Sequence, residues 1–220
     1  MGISFLHTAQ VHVETFDGIF DALAPDMTLN HVVVPELLAR AQAHGVDDVH
    51  VETTRLLAAM CDDDAAVCTC TTLGPIADDL GGDNLLRIDR PVMEYACAQG
   101  PRILVAICLE ATRGSTCDLL AKCADLAGVA ITPEVVLIDT AWPHFENGDI
   151  DLFAEEIASV ISDSVANGEF DCVVLAQASM HVAEPLLQDL TVPVVSSPVM
   201  AAKRALEIAM GTSTKSGLLT

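Results

Sequence analysis

Asp64-Ala-Ala-Val-Cys-Thr-Cys-Thr-Thr-Leu-Gly-Pro-Ile-Ala77 runs from an apolar stretch into thiols and hydroxyls, and then through a glycine into a helical start. A strand buried on both faces reads as a continuous apolar run, and in open α/β sheets ligands sit outside the carboxyl ends of such strands. The segment therefore predicts a parallel strand that delivers Cys68, Cys70, Thr71 and Thr72 to a sheet edge. Cys68 still lies within the apolar run and reads as a small core residue, because free cysteine is among the most buried residue types. Cys70, two residues further and followed by two hydroxyls and Gly74, reads as functional. Which of the two thiols is the reactive one stays open on sequence alone.

The same pattern returns downstream in Phe170-Asp-Cys-Val-Val-Leu-Ala-Gln-Ala-Ser-Met-His181, a strand-like run that ends in polar residues opening a helix. Other elements fall into the same two series. Ile3-Ser-Phe-Leu-His-Thr8 opens the first half and Arg102-Ile-Leu-Val-Ala-Ile-Cys-Leu-Glu-Ala-Thr-Arg113 the second. Each is followed by a helical stretch, 16–23 and 117–127, and then by another apolar run, 31–34 and 134–138. Order and pattern, rather than residue identity, thus predict an internal duplication.

With these segments in hand, the sequence resembles the aspartate/glutamate/hydantoin racemase superfamily, which includes maleate isomerase and arylmalonate decarboxylase. The resemblance spans nearly the whole chain. It rests on Cys70-Thr71-Thr72, similar to the family's Cys-Asn-Thr motif, on Leu175-Ala-Gln-Ala-Ser-Met180, similar to its second-half Leu-Gly-Cys-Ala/Thr motif, and on the ending Val192-Pro-Val-Val-Ser-Ser-Pro-Val-Met-Ala-Ala202. It implies an α/β fold of two pseudo-symmetric flavodoxin-like lobes, each a small parallel sheet flanked by helices, with the ligand site between them. The first lobe would hold residues 1–98 plus 199–220, its last helix (199–210) packing back on it and 211–220 forming a polar tail; the second would hold 99–198.

By the same alignment Cys70 takes the place of the first-half thiol and Gln177 that of the second. Racemisation without a cofactor needs one base to remove the α-proton and an acid on the opposite face to return it. The family's racemases use two thiols, each working as thiolate only when its pKa is pulled below the free value of about 8.5. Glutamine takes no proton. Either His181 stands in as the acid, or the chemistry is one-sided, or catalysis is lost. One-sided chemistry needs a single thiol, for decarboxylation followed by protonation or for addition to a double bond. The resemblance thus implies a cofactor-independent isomerase or lyase acting beside the carboxylate of a small amino acid or dicarboxylate, with catalytic Cys70 and His181. Thr8, Thr71, Thr72, Ser115, Thr116, Gln177 and Ser179 would bind substrate, Gln177 by offering its amide hydrogens to a carboxylate or enediolate oxygen. No metal is implied, and a homodimer would be in keeping with the superfamily. The alternative is a non-catalytic carboxylate-binding protein on the same scaffold.

Composition narrows the partners. The 220 residues are 51% hydrophobic, ample for a core, and the apolar stretches fall well short of the roughly 20 residues that span a bilayer. The start shows no basic segment ahead of an apolar one and reads as cytoplasmic. With 32 acidic against 10 basic residues and a formal net charge of −22, nucleic acid and anionic membranes are disfavoured as partners. Solubility is the plain reading of that charge, and salt adaptation also fits it.

The eight cysteines (Cys61, Cys68, Cys70, Cys97, Cys108, Cys117, Cys123 and Cys172) lie largely inside apolar runs and read as reduced thiols. Cys68 and Cys70 alone have neither the spacing nor the second pair of a structural zinc site.

The remaining candidates each have a plainer structural reading. Thr8, with His7 before it, ends the first strand and could meet a carboxylate or cap the strand. Ser115 and Thr116 could hold a carboxylate or cap a helix from Cys117. Arg90, in Asp89-Arg90-Pro91, reads as a surface ion-pair partner. His31 reads as structural, and Ser196 and Ser197, ending a short strand, could place hydroxyls at the site or cap the last helix.

Overall fold

The computed structural model describes residues 1–212 and divides into two compact units, one formed by Met1–Asp89 with the chain from Pro198 on, the other by Arg90–Ser197. In the first unit β1 (Gly2–His7), α1 (Val11–Leu23), β2 (Thr28–Val33), α2 (Pro35–His44), α3 (His50–Met60), β3 (Ala65–Cys68), α4 (Gly74–Leu80) and β4 (Leu85–Arg87) follow one another. The strands form one parallel sheet in the order β2-β1-β3-β4. β3 is buried at every position because helices cover both of its faces, while β2 lies at the edge and is half open. Leu6, Leu37, Leu57, Ala66, Cys68, Leu73 and Ile76 make one apolar cluster. On the other side of β1, Phe5 packs on Phe16 and Phe20 of α1.

The second unit holds α5 (Arg90–Gln99), β5 (Arg102–Ile107), α6 (Arg113–Ala127), β6 (Thr132–Leu137), α7 (Trp142–Asn147), α8 (Ile150–Asn167), β7 (Cys172–Leu175) and β8 (Val194–Ser196). Its sheet, also parallel, runs β6-β5-β7-β8, the topology of the first. Phe153, Ile157 and Ile161 of α8 fill its core against Leu104, Val173 and Leu175. The last helix, α9 (Ser197–Ala209), carries the chain from Ser197 back into the first unit.

The two sheets match residue by residue. Leu6 of β1 pairs with Cys68 of β3, as Ala106 of β5 pairs with Leu175 of β7. One step on, the Thr69 amide donates to the Leu6 carbonyl at 3.0 Å and the Ala176 amide to the Ala106 carbonyl at 2.9 Å. Cys70 and Gln177 come next and begin the same turn: the Leu73 amide donates to the Cys70 carbonyl at 3.1 Å, and the Met180 amide to the Gln177 carbonyl at 2.9 Å. The expected duplication is therefore present at the level of topology and register.

Four expectations change. α1 begins at Val11, a turn and a half before Phe16. α6 begins at Arg113 rather than Cys117, because a 3₁₀ turn over Glu110–Thr112 feeds it and Arg113 pairs with Glu110 at 2.7 Å. The stretch Ala178–Leu187 is 3₁₀ rather than α-helical; Pro185 within it lacks an amide hydrogen and crowds the carbonyl four residues back. Finally α5, placed in the first lobe by the expected boundary, groups with the second unit, where it packs on α6 and β7. Of the expected tail, Gly211 and Thr212 end the description and residues 213–220 lie outside it. No helix among the described residues is long and apolar enough to cross a membrane.

Candidate active site

In the first unit the turn after β3 builds a hydrogen-bonded seat for one sulfur. Cys70 is buried, and the hydroxyls of Thr8 and Thr72 together with the amides of Thr72 and Leu73 are hydrogen-bonded to its Sγ. The amides can only donate, so the sulfur is held as an acceptor. Burial pushes the thiol up from its ordinary value, and all four bonds pull the other way by favouring the thiolate. Thr8 is there because β1 ends beside β3. Thr71, also buried, closes the turn by accepting from the Gly74 amide at 3.2 Å. Cys68, in the same apolar cluster as Cys70, is a different kind of thiol: it is fully buried, its Sγ lies 3.8 Å from the Cys70 carbonyl, and burial pushes it up to about 12.

Behind the turn a guanidinium is buried. Arg87 of β4 donates from Nε and Nη2 to Asp89 at 2.6 and 3.0 Å, and from Nη1 to Asp78 at 3.1 Å. It lies so close to α4 that a Cβ on Gly74 would sit 2.4 Å from its Nε. Sequence reading passes over Arg87; the signal available was an arginine ending an apolar run with an aspartate two residues on.

In the second unit, Gln177 occupies the place that Cys70 has in the first. Its Oε1 accepts from the amides of Cys108 and Leu109 at 2.5 and 3.0 Å. Two amide donors fix the flip of the side chain, since only the oxygen can face them. Gln177 is 6% exposed, and its Nε2 makes no hydrogen bond among the described residues, leaving two hydrogens to offer. Cys108, which matches Thr8 in register, is no replacement for the absent thiol: burial and the nearby Glu156 and Asp139 push it up to about 12.

The other predicted residues of this unit divide. Ser179 is buried two residues beyond Gln177, where the first unit has Thr72. His181 is half-buried and donates from Nδ1 to the Ala178 carbonyl at 2.9 Å, so Nε2 is the ring atom left for proton exchange. Ser115 and Thr116 are not caps, since α6 has already begun. Ser115 donates to the Thr112 carbonyl at 3.0 Å, and the Thr116 hydroxyl is fully buried with no partner among the described residues.

No protein-family model and no curated protein matches the chain. Solved structures do. The aspartate racemase of Picrophilus torridus superposes with a TM-score of 0.71 at 16% identity, over 95% of this chain and 94% of that one. The chain shares that enzyme's fold. The allantoin racemase of Klebsiella pneumoniae gives 0.65 at 19% identity, over 98% and 90% of the two chains. A mutant of arylmalonate decarboxylase in a sulfate-associated form gives 0.58 at 15%, over 97% and 95%. The two-lobed α/β architecture expected from the sequence is thus the architecture shared with these enzymes.

Proposed function

We propose that this chain is a cofactor-independent isomerase or lyase that acts at the carbon beside the carboxylate of a small amino acid or dicarboxylate, with the Cys70 thiolate as its one thiol base or nucleophile. The observation that carries this reading is the set of four hydrogen bonds on the Cys70 sulfur. A neutral thiol is a weak acceptor and has no need of them, whereas a thiolate formed during reaction is stabilised by each. That racemases and a decarboxylase share the fold supports the same class of chemistry.

Gln177 makes symmetric two-thiol racemisation the less favoured member of that class. Its amide hydrogens stabilise a developing carboxylate or enediolate oxygen without moving a proton. Thr8, Thr71, Thr72, Ser115, Thr116 and Ser179 supply further polar groups to the substrate. His181, with Nε2 available, returns the proton where one is needed. A carboxylate-binding protein without chemistry is the competing reading, favoured by the upward push of burial on Cys70.

The test is incubation with candidate amino acids and dicarboxylates in deuterium oxide, following α-proton exchange and product by NMR, with Cys70→Ala alongside. Exchange or product that disappears in the variant is the expected result; retention in Cys70→Ala would sink the thiolate mechanism. Inversion in the wild type would show that another acid, first His181, replaces the second thiol.

A further inference from the structure

His7 is fully buried, and both of its ring nitrogens are engaged. Nδ1 lies 2.8 Å from Thr69 Oγ1, and Nε2 lies 2.8 Å from His31 Nδ1. His31 Nε2 in turn reaches Asp17 Oδ1 at 3.1 Å, and Asp17 is 52% exposed. The two rings stack 5.1 Å apart, with Phe5 against both. An unbroken chain of hydrogen bonds therefore leads from a surface carboxylate to the hydroxyl of the residue that precedes Cys70. The parallel register of β1 and β2 creates it by setting His31 opposite Phe5, two residues before His7.

Counting hydrogens along the chain leaves two arrangements. An ionised Asp17 only accepts, so His31 holds a hydrogen on Nε2. Without an extra proton His31 Nδ1 is bare, His7 supplies the inter-ring hydrogen from Nε2, and His7 Nδ1 accepts the Thr69 hydroxyl. The Leu6 carbonyl, 2.8 Å from that hydroxyl, is still satisfied by the Thr69 amide at 3.0 Å. With one proton added, His31 donates from both nitrogens and His7 donates from Nδ1 to Thr69, whose hydroxyl hydrogen turns to the Leu6 carbonyl. A single proton on the pair thus reverses a hydroxyl at the foot of the thiol turn.

We infer that His7 and His31 are positioning residues for Cys70, their tautomers set by Asp17; the inference deepens the proposed function and rests on Cys70 being the reactive thiol. His7 touches both strand ends that hold the sulfur, since Thr8 follows it in β1 and Thr69, its hydrogen-bond partner, precedes Cys70. His12 of α1, its ring 6.1 Å from that of His7, is the other titratable group beside the pair, and Asp17 is the carboxylate that His31 meets. Among the described residues no three metal-ligating side chains converge, so the arrangement is one of hydrogen bonds.

The test pairs proton–nitrogen correlation spectra of the imidazole rings with the pH profile of Cys70 alkylation, read by peptide mass, in the wild type and in Asp17→Ala. Alanine keeps the helix at this half-exposed place. At mildly alkaline pH the wild type is expected to hold the His7 hydrogen on Nε2. In Asp17→Ala the His7 tautomer shifts toward Nδ1, although the changed residue does not touch it. The Cys70 alkylation rate changes by about three- to tenfold, what one ordinary hydrogen bond is worth. A His7 tautomer that ignores Asp17 overturns the inference, and so does a tautomer that shifts while the Cys70 rate stays put. A wild-type Cys70 that resists alkylation throughout sinks the thiolate reading and, with it, the inference that rests on it, and the unreactive wild type tells this failure from the other two.

Discussion

Four hydrogen bonds meet the Cys70 sulfur, while Gln177, its counterpart by register, spends its oxygen on two backbone amides and keeps two hydrogens to give. These two roles of Gln177 can be separated. Gln177→Ala leaves the Cys108 and Leu109 amides without their acceptor, and a buried amide so orphaned costs about 1–3 kcal/mol. Gln177→Glu keeps an acceptor in the same place but loses the donor. Urea unfolding is expected to show the alanine variant destabilised by that amount and the glutamate variant close to wild type. If the amide hydrogens meet substrate oxygen, turnover in Gln177→Glu falls by about a hundredfold or more, the usual result of removing one such donor. Full turnover in the glutamate variant would reduce Gln177 to a brace for the loop after β5.

Among elements, the junction of β3, α4 and β4 is where packing bears most directly on the thiol. Alanine in place of glycine in an unstrained helix ordinarily stabilises, by about 0.5–1 kcal/mol. At Gly74 the sign should reverse, because the added Cβ meets Arg87 Nε at 2.4 Å and Asp89 and Asp78 hold that side chain in place. Overpacking of this kind costs about 1–3 kcal/mol, so a urea midpoint in Gly74→Ala below that of wild type is expected, and one above it would show Arg87 free to move. The strands around this junction were legible in the sequence because burial on both faces leaves an unmistakable apolar run, as in Ala65–Cys68 and Cys172–Leu175. That Thr8, Cys70 and Gln177 stand just past strand ends followed from where those runs end. What escaped depended on long-range register: His7 and His31 are 24 residues apart and meet only because β1 and β2 are parallel neighbours. Arg87 escaped because an arginine reads as surface until its two aspartates are seen. The start of α6 was missed because Glu110–Arg113, a polar stretch, looks like loop until the 3₁₀ turn and its ion pair are known.

At the scale of the whole molecule, acid and salt act on stability through different groups, and the windows can be told apart. His7 is held down to about 3 by burial and by His12 and His31, against 6.5 when free. Between those values the unfolded chain binds a proton that the folded one refuses. This contribution is intact above about pH 6.5 and is lost toward pH 3 at up to about 1.4 kcal/mol per pH unit. Most carboxylates titrate lower, near pH 4, and so contribute little over the first part of that range. The thermal midpoint is expected to drop already between pH 7 and 5, and to drop less in His7→Gln if that variant folds; a flat wild-type profile over this interval would mean that His7 is protonated as easily folded as unfolded. Salt acts through the charge imbalance itself. With 32 acidic and 10 basic side chains the compact state concentrates like charges, and their mutual repulsion reaches about 10 Å at 0.1 M salt but only about 3 Å at 1 M. The thermal midpoint at neutral pH should therefore rise as KCl is taken from about 0.1 M to about 1 M, most steeply at the low end where screening changes fastest. Ammonium sulfate raises the midpoint of most proteins by exclusion from their surface. A midpoint that climbs in ammonium sulfate and stays level in KCl would assign the gain to exclusion and remove charge repulsion as a force on this fold.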